Sequence, residues 1–131
     1  MALALARLGW HGPGMRCLLI CLFLSPSAVL GDPAVIEDVS LTPSGAGWRV
    51  DVTLRHGDTG WDDFADGWRV LAPDGRELGY RELVHPHVNE QPFTRSLSGV
   101  AIPEGLESVL IQSRTNTEGW SAETLEVAVP R

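Results

Sequence analysis

The sequence predicts an all-β protein: a single antiparallel β-sandwich of seven strands that follows a leader of 31 residues. Three observations predict this class. Short segments alternate apolar and polar residues, as strands with one buried face do. Gly, Pro, Asn and Asp separate these segments at nearly regular intervals. After the leader, no stretch has the apolar spacing of an amphipathic helix.

The leader has the pattern of a secretory signal. Arg16 precedes the apolar run 17–24, and Val29 and Gly31 occupy the third and first positions before a cut after Gly31. The apolar run is much shorter than the ~18 to 20 residues that a membrane-spanning helix requires. We therefore expect cleavage after Gly31 and export to the periplasm or the exterior.

The predicted organisation is a signal peptide at 1–31, with a possible true start at Met15, and a sandwich domain at 32–131. Both cysteines, Cys17 and Cys21, fall within the signal, so the exported domain has no disulfide. Neither cysteine follows the small residue that a lipoprotein processing site requires. We therefore expect no stable membrane anchor.

The charge of the domain restricts its partners. Removing Arg7 and Arg16 with the signal leaves eight arginines against 17 acidic residues, a formal net charge of −9. Phosphate binding requires a basic surface, so the sequence argues against a nucleic-acid partner. The same charge disfavours anionic membrane surfaces.

The strand pattern is clearest at 48–55, where apolar residues alternate with Arg, Asp and Thr. This alternation predicts one face in the core and one in water. Pro-Asp-Gly at 73–75 predicts a hairpin turn, because Pro fixes one turn angle and Gly accepts a positive φ. Trp48 and Trp68 lie within predicted strands, and we expect both in the core. The seven predicted strands are 35–41, 48–55, 67–71, 77–84, 93–102, 107–113 and 123–129.

Two features of this order resemble known sandwich domains. Trp48 in the second predicted strand and Asn-x-x-Gly-Trp-Ser at 116–121 resemble the fibronectin type III family, within the immunoglobulin-like sandwiches. The tyrosine that this family has near the start of its sixth strand is absent, since residues 107–109 are Glu, Ser and Val. The resemblance implies a sandwich of the immunoglobulin or fibronectin type III kind.

A second resemblance concerns the segments 60–68, 71–75 and 85–100. They read GWDDFADGW, LAPDG and HPHVNEQPFTRSLSGV, and they are similar to a group of small exported bacterial proteins without an assigned function. This resemblance implies an exported location and a β-sandwich fold, and it implies no activity.

The loops that follow the second, fourth and sixth strands should emerge at one end of an up-and-down sandwich. Loops at one end of a rigid sandwich are a common place for binding sites. The predicted partner is a protein, peptide or glycan. The alternative is that the loop aromatics close the end of the sandwich. The candidate binding residues are Trp61, Asp62, Asp63, Phe64, Asn89, Glu90 and Trp120.

The three histidines of the domain also fall in these loops. His85 and His87 point the same way if their segment is extended, and His56 at the end of the second strand could approach them. Imidazoles suit Cu(II) or Zn(II), and a loop carboxylate such as Asp58 could complete the shell. The competing interpretation, which we favour, is that the histidines form hydrogen bonds with their neighbours and that no cofactor binds. Clustered loop aspartates would also suit Ca²⁺, although their spacing is not that of an EF-hand loop.

Catalytic motifs are missing from the sequence. It has no Gly-x-Ser-x-Gly elbow, no phosphate loop, no zinc-protease helix and no cysteine nucleophile in the exported domain. Ser96 and Ser98 flank Leu97, as ordinary sheet residues do. We therefore predict an exported, non-catalytic binding or accessory module, with metal binding as the alternative.

Overall fold

The structure, a computed structural model, describes residues 31–131 and, before them, Gly9 alone. The predicted signal peptide therefore lies outside the described residues, apart from Gly9 and from Gly31 at its end. Residues 31–131 contain only β-strands as regular structure, and no helix that could cross a membrane occurs among the residues described. The strands are β1 (Val35–Ser44), β2 (Gly47–Arg55), β3 (Ala65–Leu71), β4 (Glu77–Glu82), β5 (Phe93–Val100), β6 (Ser108–Thr115), β7 (Gly119–Trp120) and β8 (Leu125–Ala128).

These strands form two antiparallel sheets. The first has the order β1-β2-β5, and the second has the order β4-β3-β6, with β7 and β8 both pairing with β6. The prediction of an all-β chain with antiparallel sheets is confirmed, whereas the predicted number of seven strands is wrong, because residues 31–131 contain eight.

The additional strand is β7, which lies where the sequence predicted only a turn. Gly119 has a φ of 76°, so the chain reverses after the three residues 116–118 and pairs again with the end of β6. Residues 121–124 then separate β7 from β8, which pairs with 108–111 of the same strand. β7 and β8 thus pair one after the other with β6, where the sequence predicted a single strand at 123–129.

The core lies between the two sheets. Val50, Val52 and Leu54 of β2 have no solvent exposure, as their alternation predicts. They form one cluster with buried residues of the other sheet, including Trp68, which is fully buried as predicted. Trp48 packs against this cluster while half-buried.

The turn at 73–75 forms as predicted, and the first turn is shorter than predicted. At 73–75 the chain forms the predicted hairpin, and Gly75 has a φ of 91°. The first turn is tighter than predicted, since β1 continues to Ser44 and β2 begins at Gly47. Pro43 is accommodated in β1 because this strand lies at the edge of its sheet.

One end of the sandwich carries the loops that follow β2, β4 and β6, which are residues 56–64, 83–92 and 116–118. The segment 31–34 lies at the same end, because Val35 at the start of β1 pairs with Arg55 at the end of β2. We call this end the loop pole.

Candidate functional site at the loop pole

Asp58 lies at the centre of the loop pole. Its side chain is inaccessible to solvent, and it accepts three hydrogen bonds. Nδ1 of His56 lies 2.6 Å from Oδ1, the amide of Ala65 donates to the same oxygen at 3.0 Å, and the amide of His87 donates to Oδ2 at 2.8 Å. A buried carboxylate requires such partners. Asp58 therefore joins the loop after β2 to the loop after β4.

Gln91 makes a second connection between these two loops. Its Oε1 accepts a hydrogen bond from the amide of His56 at 3.0 Å, and its Nε2 donates to the carbonyl of His87 at 3.0 Å. The side-chain amide of Gln91 thus accepts one hydrogen bond and donates another, and it fixes the spacing between the two histidine-bearing segments.

Asn116 joins the loop after β6 to the loop after β2. Its Oδ1 accepts from the amide of Phe64 at 2.9 Å, and its Nδ2 donates to the carbonyl of Trp61 at 2.9 Å. The three loops therefore converge at one end, as the sequence predicted.

Trp61 is the most prominent apolar residue of the pole. It is 67% exposed, although its main chain is held by Asn116. Its ring meets the ring of buried Phe64 edge-on, with a centroid separation of 5.6 Å. Asn116 therefore holds the main chain of Trp61, Phe64 contacts its ring edge-on, and the rest of the side chain is open to solvent.

The other candidate surface residues divide into two groups. Asp62, Asn89 and Glu90 are exposed at the pole. Phe64 is buried beneath it, and Trp120 lies on the outer face of the second sheet, 4.0 Å from the guanidinium carbon of Arg69. The predicted surface is thus smaller than the seven residues proposed for it. Asp63 is half-buried, between these two groups.

The three histidines do not form one set of ligand atoms. Within residues 31–131, the only group of three or more potential metal ligands is Asp32, His56 and Asp63. Exposed His85 lies 4.6 Å from His87 between ring centroids, and neither belongs to that group. The predicted set of His56, His85 and His87 does not occur as such a group among residues 31–131.

His87 is a packed structural residue. Its ring stacks on Phe93 with a centroid separation of 3.9 Å, and its Nε2 accepts a hydrogen bond from Arg95 at 2.9 Å. Arg95 in turn pairs with Glu90 at 3.3 Å. Arg95 therefore occupies Nε2, whereas Nδ1 of His87 is buried and has no hydrogen-bond partner among the residues described.

The two buried histidines have pKa values shifted in opposite directions. Burial alone would lower the pKa of His56, but the hydrogen bond with Asp58 and the charges of the surrounding aspartates raise it above its ordinary value. Burial lowers the pKa of His87, and the positive charge of Arg95 lowers it further.

Asp32 is a member of the site that sequence reasoning missed. Its amide donates to Oε1 of Glu118 at 2.8 Å, which holds the segment before β1 against the loop after β6. Its carboxylate oxygen then lies 3.3 Å from Nε2 of His56. The only signal in the sequence was its place directly after the predicted cut, and this says nothing about a contact with His56.

Comparison with known proteins gives one relative. The chain is 39% identical over 95 residues to a protein of Halomicrobium mukohataei named "Putative lipoprotein". The aligned region covers 72% of this chain and 46% of that protein, so the chain spans about half the length of the curated relative it matches. No protein-family model matches the chain, and no solved structure matches it.

Proposed function

We propose that the chain is an exported, non-catalytic β-sandwich module that binds a protein partner through the loop pole, with Trp61 as the principal contact. The observation that carries this proposal is that Trp61 is two-thirds exposed while Asn116 and Phe64 hold it in place. Tryptophans are enriched among the residues that dominate binding energy, and a fixed side chain loses little entropy on binding.

The exposed area of the Trp61 ring determines how much binding free energy it can contribute. Covering it would remove on the order of 150 Å² of surface from water, which corresponds to about 4 kcal/mol before the costs of association. Val84 and Val88 in the loop after β4 are 67% and 51% exposed and add apolar surface at the same end. These three side chains would form the apolar part of the interface.

The charges around Trp61 indicate the charge expected on the surface of the partner. Asp62 and Glu90 are exposed at the pole, and the exported domain is strongly acidic. Interfaces pair patches of opposite potential, which speeds encounter and disfavours wrong partners. The expected partner surface is therefore an apolar pocket bordered by arginine or lysine.

The strand arrangement supports an assignment to the fibronectin type III or immunoglobulin-like sandwiches. One sheet has the order β1-β2-β5. The facing sheet has the order β4-β3-β6, and β7 and β8 both pair with β6. Such sandwiches commonly act as binding modules, with the site on the loops at one end. A non-catalytic role is in keeping with Ser96, whose hydroxyl is hydrogen-bonded to Asp51 and Arg49 rather than to a histidine.

Export is supported by the signal pattern of residues 1–31 and by the name of the H. mukohataei relative. That name also favours a second form, in which a lipid on Cys17 or Cys21 holds the domain at a membrane. We propose cleavage after Gly31 instead, because neither cysteine follows a small residue.

The proposal is tested by comparing two exposed aromatics. The exported domain has no lysine and its predicted amino terminus lies at the loop pole, so the protein is immobilised through a biotin added at its carboxyl terminus. It is used to capture partners from an envelope extract of its host, and the affinity for the captured partner is measured by calorimetry. Trp61→Ala should weaken binding by roughly 30-fold or more, the loss typical of a dominant interface residue. Tyr80→Ala, which changes an exposed aromatic on β4, is the control and should bind as the natural chain does. Equal affinity of the two variants would refute the role of Trp61.

A further inference from the structure

We propose that Asp32, His56 and Asp63 form a binding site for one divalent transition-metal ion, and that Zn(II) fits their donor set best. This site is independent of the partner surface around Trp61 and differs from the histidine set predicted from the sequence.

The distances between the three donor groups suit a tetrahedral ion. Nε2 of His56 lies 3.3 Å from Oδ2 of Asp32 and 3.7 Å from Oδ1 of Asp63, and all three ligand atoms lie within 4.8 Å of one another. Zinc bonds of about 2.0 to 2.2 Å place neighbouring tetrahedral ligands roughly 3.4 Å apart. Of the three edges, that between His56 and Asp32 already has this length, and that between His56 and Asp63 needs a contraction of a few tenths of an ångström. The third edge, between the two aspartates, is no longer than 4.8 Å and closes as the exposed side chain of Asp32 moves.

The second observation is the support behind His56. Its imidazole is completely buried, and Nδ1 is held by Oδ1 of Asp58 at 2.6 Å. Asp58 is held in turn by the amides of Ala65 and His87. A histidine that ligates a metal typically donates its other ring N–H to such a carboxylate, which fixes the ring and the tautomer. Here that arrangement aims Nε2 at the two aspartates.

The accessibility of the ligands allows an ion to enter and leaves it a position for water. The side chain of Asp32 is 72% exposed and that of Asp63 is 32% exposed, whereas His56 forms the buried floor. Three protein ligands with one water is a common zinc arrangement. In the structure Nε2 donates a hydrogen bond to the carbonyl oxygen of Asp32 at 3.1 Å, and a bound ion would replace the proton of this contact.

The chemistry of the donors selects the class of ion. One imidazole with two carboxylates suits Zn(II), whereas Ca²⁺ and Mg²⁺ prefer sites made only of oxygen ligands. Cu(II) binds the same donors at least as strongly, following the general order of affinities, so it should compete with zinc. The three carboxylates around His56, those of Asp32, Asp58 and Asp63, supply the negative charge that a dication would neutralise.

The test is a zinc titration of the protein purified untagged as its host processes it, with any cysteine thiols alkylated. The variants Asp63→Asn and Asp32→Asn remove one ligand each from partly exposed positions, so the fold should be retained. Asp62→Asn is the matched control, because it makes the same change at the neighbouring exposed residue. His85→Ala tests the alternative histidine set.

The natural chain should bind one zinc with a micromolar or lower Kd, and the imidazole ¹⁵N resonances of His56 should shift. Asp63→Asn and Asp32→Asn should each raise the Kd by at least about tenfold, while Asp62→Asn and His85→Ala should leave it within about twofold. The proposal is overturned if no zinc binds at micromolar concentration, if Asp62→Asn and Asp63→Asn behave alike, or if His85→Ala abolishes binding.

Discussion

Nδ1 of His56 lies 2.6 Å from Oδ1 of Asp58 at the base of the loop pole, and neither side chain is accessible to solvent. This contact orients the imidazole so that Nε2 faces Asp32 and Asp63. The other oxygen of Asp58 holds the amide of His87 at 2.8 Å. One buried carboxylate thus positions both the histidine of the candidate metal site and the loop after β4.

Replacing Asp58 tests how much the pole depends on it. Asp58→Asn puts a donor where an acceptor of backbone hydrogen bonds is needed, and it removes the charge that pairs with His56. We expect a loss of roughly 3 kcal/mol in the free energy of unfolding, measured in urea. Asp62→Asn, which changes an exposed residue, should cost less than about 0.5 kcal/mol. A similar small cost in Asp58→Asn would contradict the central role of this residue.

The stability of the protein should depend on pH through His87. Arg95, His85, Glu90 and Asp58 face this side chain, and burial and the charge of Arg95 keep its pKa below its ordinary value of 6.5. Below that value the unfolded chain binds the proton more readily, so the contribution of neutral His87 is complete above pH 6.5 and is lost as the pH falls.

NMR titration of the ring protons should therefore show His87 titrating below its ordinary range. Urea unfolding should show that the natural chain loses more stability than His87→Gln as the pH falls from about 8 to about 5. Equal losses in the two proteins would mean that His87 titrates alike in the folded and unfolded chains.

Arg69 and Trp120 should be energetically coupled across the outer face of the second sheet. The guanidinium carbon lies 4.0 Å from the ring centroid, and Tyr80 meets the same ring edge-on. A double-mutant cycle with Arg69→Met and Trp120→Leu should give a coupling of about 0.5 to 1 kcal/mol. In the control cycle, which combines Trp120→Leu with Arg49→Met on the other sheet, the two changes in the free energy of unfolding should simply add. A coupling of zero for Arg69 would show that this contact contributes nothing to stability.

The proposed processing predicts one molecular mass. Cleavage after Gly31 gives a chain that begins at Asp32, whose new amino group would lie beside Glu118. Intact-mass spectrometry of protein isolated from its host should give the unmodified mass of residues 32–131. A chain that begins at Cys17 or Cys21 and carries acyl groups would instead establish a lipid anchor.

Much of the fold could be predicted because its signals are local. The alternation at 48–55 specifies which side chains of β2 enter the core, and Pro-Asp-Gly at 73–75 specifies a hairpin. The two-residue strand β7 could not be predicted, since so short a segment has no alternation. It forms only because the end of β6 lies beside it.

The site was predictable only in part because it depends on long-range contacts. The convergence of the loops follows from the up-and-down order of the strands. The burial of Asp58 does not, since an aspartate in a loop is ordinarily solvated and here is enclosed by the loop after β4. Nor does the sequence distinguish Trp61, which is exposed, from Phe64, which is buried three residues later.

The most direct measurement is site-specific photocrosslinking at the loop pole in intact host cells. A benzophenone amino acid replaces Val84, an exposed residue of the loop pole, in one protein and Tyr80, the exposed aromatic of β4, in the other, so that Trp61 is kept in both. The account predicts one discrete adduct with a protein partner from position 84 and none from position 80. No adduct at position 84, or the same adducts from both positions, would contradict the conclusion that the loop pole is the binding surface.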